Sequence, residues 1–374
     1  MKYSLLVITL TLALGCDLAQ NTPPASQVPK EPPQTTPEPL SVKEATLPEP
    51  ASPEPTSPEP TSSLAASFQP QPINICSFNI QFLGNSKKRD NAALAKLVSG
   101  FDIVVVQELV APPVPGTFPD RTPYKLDAEA KAFFDAMQNL GFAYVLSEED
   151  TGSGKKLHVN GSSTEWWITF YKPNKVQVAP DLPGGYLAEN HLKHPDYKRV
   201  PYAFPFRSAD GSCDFVLISV HLPPDSGPQV RAKRKHELKT IASWIDAHDE
   251  CEKDFIILGD MNIEDAKELT DDTPAGFLSL NDECRSTNTQ GTKPYDHVMY
   301  RPAFTSEIDP QTDMQVIDLV EAMKQHWNKP EPYPGTPYNH DKFRAIYSDH
   351  HPVWFRILTP QCDDDGTVVR AQVN

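Results

Sequence analysis

Asp254-Phe-Ile-Ile-Leu-Gly-Asp260-Met-Asn262 is the stretch whose reading decides the fold. Phe255 to Leu258 is a short run with no polar face, as in a strand covered on both sides, and the polar triplet falls where that strand leaves the core. Sheet proteins place their chemistry at such strand ends. Gly259 is expected to let the backbone turn and a ligand approach, with Asp260 and Asn262, two residues apart, on one side of an extended chain. Four other stretches have the same build. Ile73-Asn-Ile-Cys-Ser-Phe-Asn79 ends in a carboxamide, Ile103-Val-Val-Val-Gln107-Glu108 in a carboxylate and Phe215-Val-Leu-Ile-Ser-Val-His221 in an imidazole. Ser348-Asp349-His350 stands just before His351-Pro-Val-Trp-Phe-Arg-Ile357. Each polar residue alone is an ordinary strand end. Together, Asn, Glu, His, Asp/Asn and Asp/His form the donor set that a metal-assisted phosphoester reaction needs.

The flanks differ sharply from these strands. Met1-Lys-Tyr-Ser and the apolar run Leu5 to Leu14 predict a secretory leader, too short to span a bilayer. Ala13-Leu14-Gly15-Cys16 resembles a bacterial lipobox, with its usual Leu one place early, so Cys16 is the expected lipid anchor and plain secretion the alternative. Either way the mature chain is expected outside the cytoplasm. Residues 17–70 repeat Pro-Glu-Pro at 37–39, 48–50, 53–55 and 58–60. With almost no apolar side chains to bury, they are expected to be a disordered spacer. Residues 71–360 predict one domain of about 290 residues, followed by a tail over 361–374. Of the formal net charge of −16, three Lys and seven Asp or Glu before residue 71 account for −4, leaving the rest of the chain at −12. Such an acidic domain does not attract polyanions without help, which divalent cations would supply locally. Apart from Cys16, five cysteines remain. No spacing suggests zinc, Cys76 reads as a buried thiol, and Cys213 and Cys251 would bridge if the strands they precede were neighbours.

Strand and helix signals alternate. Helices are predicted over Ala92–Val98, over Ala128–Leu140 with a stop at Gly141, and over Gln229–His248, where Leu238, Ile241, Ala242 and Ile245 share a face. Phe142–Leu146, Glu165–Tyr171 and Lys175–Val178 read as strands, and Thr151–Ser163 as a hairpin loop. Its Gly152-Ser-Gly154-Lys155-Lys156 lacks the setting of a phosphate loop. The run Arg231, Lys233, Arg234, Lys235, His236 is expected to be a solvated face, with contact to a substrate backbone as the alternative. Trp166 and Trp167 are expected in the core.

In this order the strand-end residues resemble the endonuclease/exonuclease/phosphatase superfamily, and within it the deoxyribonuclease I-like members. The motifs that carry the resemblance are Asn79, Gln107-Glu108, Glu165, Arg199-Val-Pro201, His221, Gly259 to Asn262, Tyr295-Asp296 and Ser348 to His350. The resemblance implies an α/β fold, a four-layer sandwich of two packed mixed β-sheets flanked by helices, with the site at one end. It also pairs Glu165 with His221 and Asp296 with His350, one imidazole serving as general base and the other as general acid. The sequence leaves open which does which.

Water attack on a phosphodiester needs an activated water, neutralised phosphoryl oxygens and a protonated leaving group. Glu108 is the expected hard ligand for Mg²⁺, or for Mn²⁺ or Ca²⁺, with Asn79 beside it and Asp349 completing the shell or holding a second ion. Asp260 and Asn262 are expected to orient the water and donate to the phosphate, and Arg199 to offer a fork to it. His297 and His351 are expected to point away. Where deoxyribonuclease I carries an Arg and a Tyr that grip duplex DNA, this chain has Val110 and Ser163. The leading expectation is an extracytoplasmic, metal-dependent DNA endonuclease with no protein partner. A sphingomyelinase-like or inositol-phosphate hydrolase, and a non-catalytic binding protein on this fold, are the alternatives.

Overall fold

Strand β1 (Ile73–Leu83) shows how the layers arise. Side chains alternate along an extended chain, so Ile73 and Ile75 enter one apolar cluster while Cys76, Phe78 and Ile80 enter another. The same alternation recurs in the neighbouring strands. Ile103 and Val105 face inward and Val104 and Val106 outward in β2 (Ile103–Leu109).

The computed structural model describes residues 72–153, 156–158, 163–191, 193–308 and 314–358. The leader with Cys16, the Pro/Glu-rich segment, the 361–374 tail and Gly154-Lys155 lie outside them. The further strands are β3 (Gly116–Thr117), β4 (Pro123–Tyr124), β5 (Ala143–Leu146), β6 (Trp166–Tyr171), β7 (Val176–Val178), β8 (Gly185–Tyr186) and β9 (Tyr202–Ser208). They are followed by β10 (Asp214–His221), β11 (Phe255–Asp260), β12 (Leu278–Ser279), β13 (Asp296–Tyr300), β14 (Gln315–Val316) and β15 (Val353–Ile357). One sheet has the order β14-β15-β1-β2-β6-β5; the other has β12-β13-β11-β10-β9-β7, with β8 on β9. β1 with β2 and β10 with β11 are parallel, so both sheets are mixed.

Helices α1 (Asn91–Val98), α2 (Ala128–Asn139), α5 (Leu319–Lys324) and α6 (His340–Arg344) cover the outer face of the first sheet through Leu94, Phe133, Leu319 and Phe343. α3 (Pro228–Asp246) and α4 (Ala266–Asp272) cover the second through Leu238, Ile241 and Leu269. A third apolar layer, including Trp167, Phe204, Leu217, Leu258 and Phe355, fills the space between the sheets. The result is the four-layer α/β sandwich expected. The predicted elements stand within two residues of their expected bounds, except that β1 runs on four residues past Asn79 to Leu83, and Trp166 and Trp167 are fully buried.

Three local expectations are corrected. The cysteines Cys76, Cys213, Cys251 and Cys284 are free. β10 and β11 are neighbours, yet Cys213 is buried at the foot of β10 while Cys251 is exposed in the turn after α3, so no bridge forms. The basic run on α3 is not merely a solvated face. Arg234 is 1% exposed and bound to Glu268 at 2.8 Å, and Arg231 and Lys235 pair with Asp272, because α4 presents acidic residues across the helix contact. Gly259 makes room for neighbouring protein rather than a ligand. Its φ is +136°, and a Cβ there would meet the Val220 carbonyl oxygen at 2.2 Å and the Gln107 amide at 3.2 Å. Gly259→Ala is therefore expected to lower stability by about 2–4 kcal/mol. A urea midpoint within error of wild type would contradict this packing.

Candidate active site

The inter-sheet layer changes character towards one end of the sandwich. In β10, Phe215 and Leu217 face the other sheet, and Ser219 and His221 follow at the same spacing. In β1, Ile75 is followed by Ser77 and Asn79, and Gln107 follows Val105 in β2. Gln107 donates to Ser77 Oγ at 3.2 Å and to Ser219 Oγ at 3.4 Å, so a buried amide and two hydroxyls form a satisfied polar floor. Above that floor the strand ends lie level. His221 stands opposite Asp260 in the parallel register of β10 and β11, and Asp260 opposite Asp296 in the antiparallel register of β11 and β13.

Asn79 joins the two sheets. Its amide nitrogen donates to Glu108 Oε1 and to Asp260 Oδ2, both at 3.0 Å, while its Oδ1 accepts from the Gln81 backbone. The group turned to the site is thus the donor, and Asn79 holds two carboxylates in place rather than presenting an oxygen to a metal. Both imidazoles turn Nε2 towards Asp260 Oδ2, from 3.6 Å for His221 and 3.5 Å for His350. Behind them, His221 Nδ1 lies 3.1 Å from Glu165 Oε1, and His350 Nδ1 lies 2.8 Å from Asp296 Oδ2.

Glu165 serves three neighbours. Besides His221 it pairs with Arg199 Nε at 2.7 Å and accepts from the Glu108 backbone N–H at 2.8 Å. Arg199 also donates to the His221 carbonyl oxygen at 3.2 Å, so its guanidinium is largely engaged in bracing the histidine instead of lying open as a phosphate fork. Glu108 has φ +64°, and Gln81, Phe82 and Asn262 are also left-handed, at +55°, +56° and +50°. Such conformations cost non-glycine residues roughly 1–3 kcal/mol each and persist where the surroundings impose them. Here the Phe82 N–H donates to Glu108 Oε2 at 3.0 Å, and the Asn262 N–H donates to Asp260 Oδ1 at 3.0 Å. Asn262 therefore reaches the site by a turn after β11, not by continuing an extended strand.

These residues line a cavity of about 380 Å³ that includes Glu108, Arg199, His221, Asp260, Asn262, Asp349 and His350. Burial would lower both histidines, and Arg199 adds to that at His221. Glu165 and Asp260 outweigh them and raise His221, while Asp296 and Asp260 lift His350 well above the ordinary imidazole range. Burial pushes Glu108 and Asp260 up despite the nearby imidazoles. It would raise Glu165 too, but His221 and Arg199 hold that carboxyl down at about 2.

The donors fit a hard divalent cation. Ligand atoms of Glu108, His221 and Asp260 lie within 4.8 Å of one another. Asp349 accepts from Gln81 Nε2 at 2.5 Å, and its Oδ1 is buried without a partner. The five carboxylates Glu108, Glu165, Asp260, Asp296 and Asp349 outnumber the cationic groups around them, Arg199, Arg89 and two imidazoles, and Arg89 is itself paired with Glu129, so the site favours a divalent cation. His297 and His351 do point away. His297 contacts Ser279 Oγ at 2.9 Å, with burial lowering it to about 4, and His351 Nδ1 accepts from the Leu319 N–H.

Sequence reasoning missed Ser77, Ser219 and Gln81. For the serines a signal exists, since each stands two residues before a site residue on the same strand face. Val110 is buried, and Ser163 is an exposed serine, so neither place presents a duplex-gripping side chain.

A sequence profile of the Endonuclease/Exonuclease/phosphatase family matches residues 76–350. No curated protein matches. Among solved structures, the human Nocturnin catalytic domain with bound sulfate is 15% identical, with TM-score 0.48 over 77% of this chain and 95% of its own. A humanized D. rerio TDP2 is 16% identical, with TM-score 0.46 over 76% and 98%. A mannosyl-6-phosphatase of Bacteroides thetaiotaomicron is 13% identical, with TM-score 0.45 over 76% and 98%.

The depressed Glu165 has a defined consequence for stability in the metal-free protein. Its folded value lies below its unfolded value of 4.5, so the stabilisation is complete above about pH 4.5 and is lost as the pH falls through about 2. Wild type is expected to lose on the order of 3 kcal/mol across that window through this group. Urea midpoints in EDTA should show Glu165→Gln losing correspondingly less. Parallel acid limbs for the two proteins would refute the pairing.

Proposed function

The chain belongs to the endonuclease/exonuclease/phosphatase family, whose members are metal-dependent phosphoester hydrolases, and on that premise we propose that it hydrolyses phosphodiester bonds of nucleic acid, DNA foremost, by direct attack of water. The observation that carries this reading is the convergence of His221 and His350 on one oxygen of Asp260. Diester hydrolysis requires a proton to be taken from the attacking water and another to be given to the leaving alkoxide. Two imidazoles, each oriented from behind by a carboxylate, offer an acceptor and a donor on either side of a common point. Asp260, between them, orients the attacking water.

Glu108, with Asp260 and Asp349 beside it, would hold Mg²⁺, or Mn²⁺ or Ca²⁺ in its place, and a cation there would act as a Lewis acid on the phosphoryl group. Asn79 keeps Glu108 and Asp260 apart at fixed positions. Arg199 has Nε on Glu165 and Nη1 on a carbonyl, which leaves Nη2 for a phosphate oxygen. Asn262 spends one amide hydrogen on the Leu222 carbonyl and directs its remaining groups into the cavity. We also place the protein outside the cytoplasm, tethered through Cys16, a reading supported by the leader-like residues 1–16 and the Pro-Glu-Pro repeats.

His350→Ala and Glu108→Gln are each expected to lower turnover by about 10²–10⁴-fold with the fold intact. The assay compares supercoiled plasmid, single-stranded DNA, RNA and sphingomyelin, with Mg²⁺, Mn²⁺, Ca²⁺ or EDTA. Nicking that EDTA abolishes supports the nuclease, whereas turnover of the lipid alone would replace the substrate. Near-normal activity of His350→Ala at saturating metal would sink its role.

A further inference from the structure

A groove of about 970 Å³ on the described surface is distinct from the catalytic cavity. It lies between the loop after β1 and the segment joining α5 to α6, and its walls carry Lys87, Lys88, Lys329 and Lys342 together with Trp327 and Tyr333. In a domain of net negative charge, four lysines around two aromatic rings run against the overall composition. Among the described residues, Lys87, Lys88 and Lys342 have no ion-pair partner, and the Lys329 ammonium stands 5.4 Å over the Trp327 ring. Of the two carboxylates on the same walls, Asp341 is taken up by Arg344 at 3.4 Å. Trp327 is held in place. Its Nε1 donates to the Glu331 carbonyl at 2.7 Å, and its ring meets that of Tyr333 edge-on at 5.5 Å.

Shared walls link the groove to the catalytic cleft. A shallower cavity of about 580 Å³ shares Lys87 and Lys88 with it and runs along Asn85, Ser86 and Arg344 to Phe82. Phe82 is also a wall of the catalytic cavity. A chain whose scissile phosphate sat between His221 and His350 would meet basic side chains on leaving past Phe82, and then an aromatic platform.

We propose that this groove binds the single-stranded nucleic acid flanking the scissile phosphate, its phosphates against Lys87, Lys88 and Lys342 and a base on Trp327. This rests on the phosphodiesterase reading and names the form of substrate. A basic track with a fixed aromatic ring suits an unpaired strand, because its bases offer free π-faces. In a duplex the bases stack on one another and cannot reach a ring recessed in a groove. Lysines without carboxylate partners are also those from which a phosphate need displace nothing.

The test compares the full-length wild type with Lys87→Gln/Lys88→Gln and with Trp327→Ala. The substrates are bis(p-nitrophenyl) phosphate, a single-stranded oligonucleotide and the same sequence as a duplex. Both variants should turn over the small diester as wild type does. Trp327→Ala should raise KM for the strand about tenfold with kcat little changed. The double variant should lower the slope of log affinity against log salt by about 1.4, from two lost phosphate contacts. The same comparison without turnover is strand binding, by fluorescence anisotropy, in a His350→Ala background. An unchanged KM and salt slope in the exposed-lysine variant would overturn the groove assignment, and so would a larger loss on the duplex than on the strand. Wild type inert towards all three substrates would instead overturn the phosphodiesterase reading, while the anisotropy comparison would still decide whether the groove holds the strand.

Discussion

One amide sets the distance between the two metal-facing carboxylates at the functional end of the sandwich. Asn79 donates one hydrogen to Glu108 on its own sheet and the other to Asp260 on the opposite sheet. Without a donor between them, two buried carboxylates would repel, and the sheet ends would move apart or one group would take up a proton. With it, both stay within reach of a shared cation and of His221. The rest of the site depends on that spacing, since Asp260 Oδ2 is the point on which both imidazoles converge.

Rigidity around this point comes from residues with more than one task. Glu165 orients His221, engages Arg199 and accepts the N–H of Glu108, so one side chain ties an imidazole, a guanidinium and a metal-facing carboxylate together. The left-handed backbone at Glu108, Gln81 and Phe82 is held by such contacts and departs from regular pairing. The β1 and β2 ladder shifts register between Asn79 and Leu83, which releases the strand ends to curl over the cleft. Sites that must hold charged groups at fixed separations commonly store strain of this kind.

How much of this was legible in the sequence follows from what each signal measures. Periodicity reports burial, and it placed the strands and the apolar clusters because alternate residues of β1, β2, β10 and β11 are consistently apolar up to the polar step. The polar step itself marked Asn79, Glu108, His221, Asp260 and His350, and all of them meet in one cleft. Partner choice was not legible. Arg199 reads as a phosphate fork from type and position, and only the fold shows Glu165 already there. Arg234 reads as solvated until α4 brings Glu268 to it. The basic groove was hidden for a stronger reason: Lys87 and Lys88 lie far in sequence from Trp327 and Lys342, and neither pair stands out in its own stretch.

The charge distribution also bears on how so acidic a domain would accommodate the proposed polyanionic substrate. With its carboxylates ionised the cleft is negative, so an approaching phosphate is repelled until positive charge arrives there. Protons and a divalent cation compete for the role. Burial raises Glu108 and Asp260, so acid fills those carboxylates with protons that a cation must displace, and cation affinity falls as the pH drops. A strand contacting the lysines beyond Phe82 gains attraction that does not depend on this competition. On the proposed reading, the basic groove would let a nucleic acid dock beside a cleft that would otherwise repel it, and would leave entry of the scissile phosphate conditional on the charge state of the carboxylates.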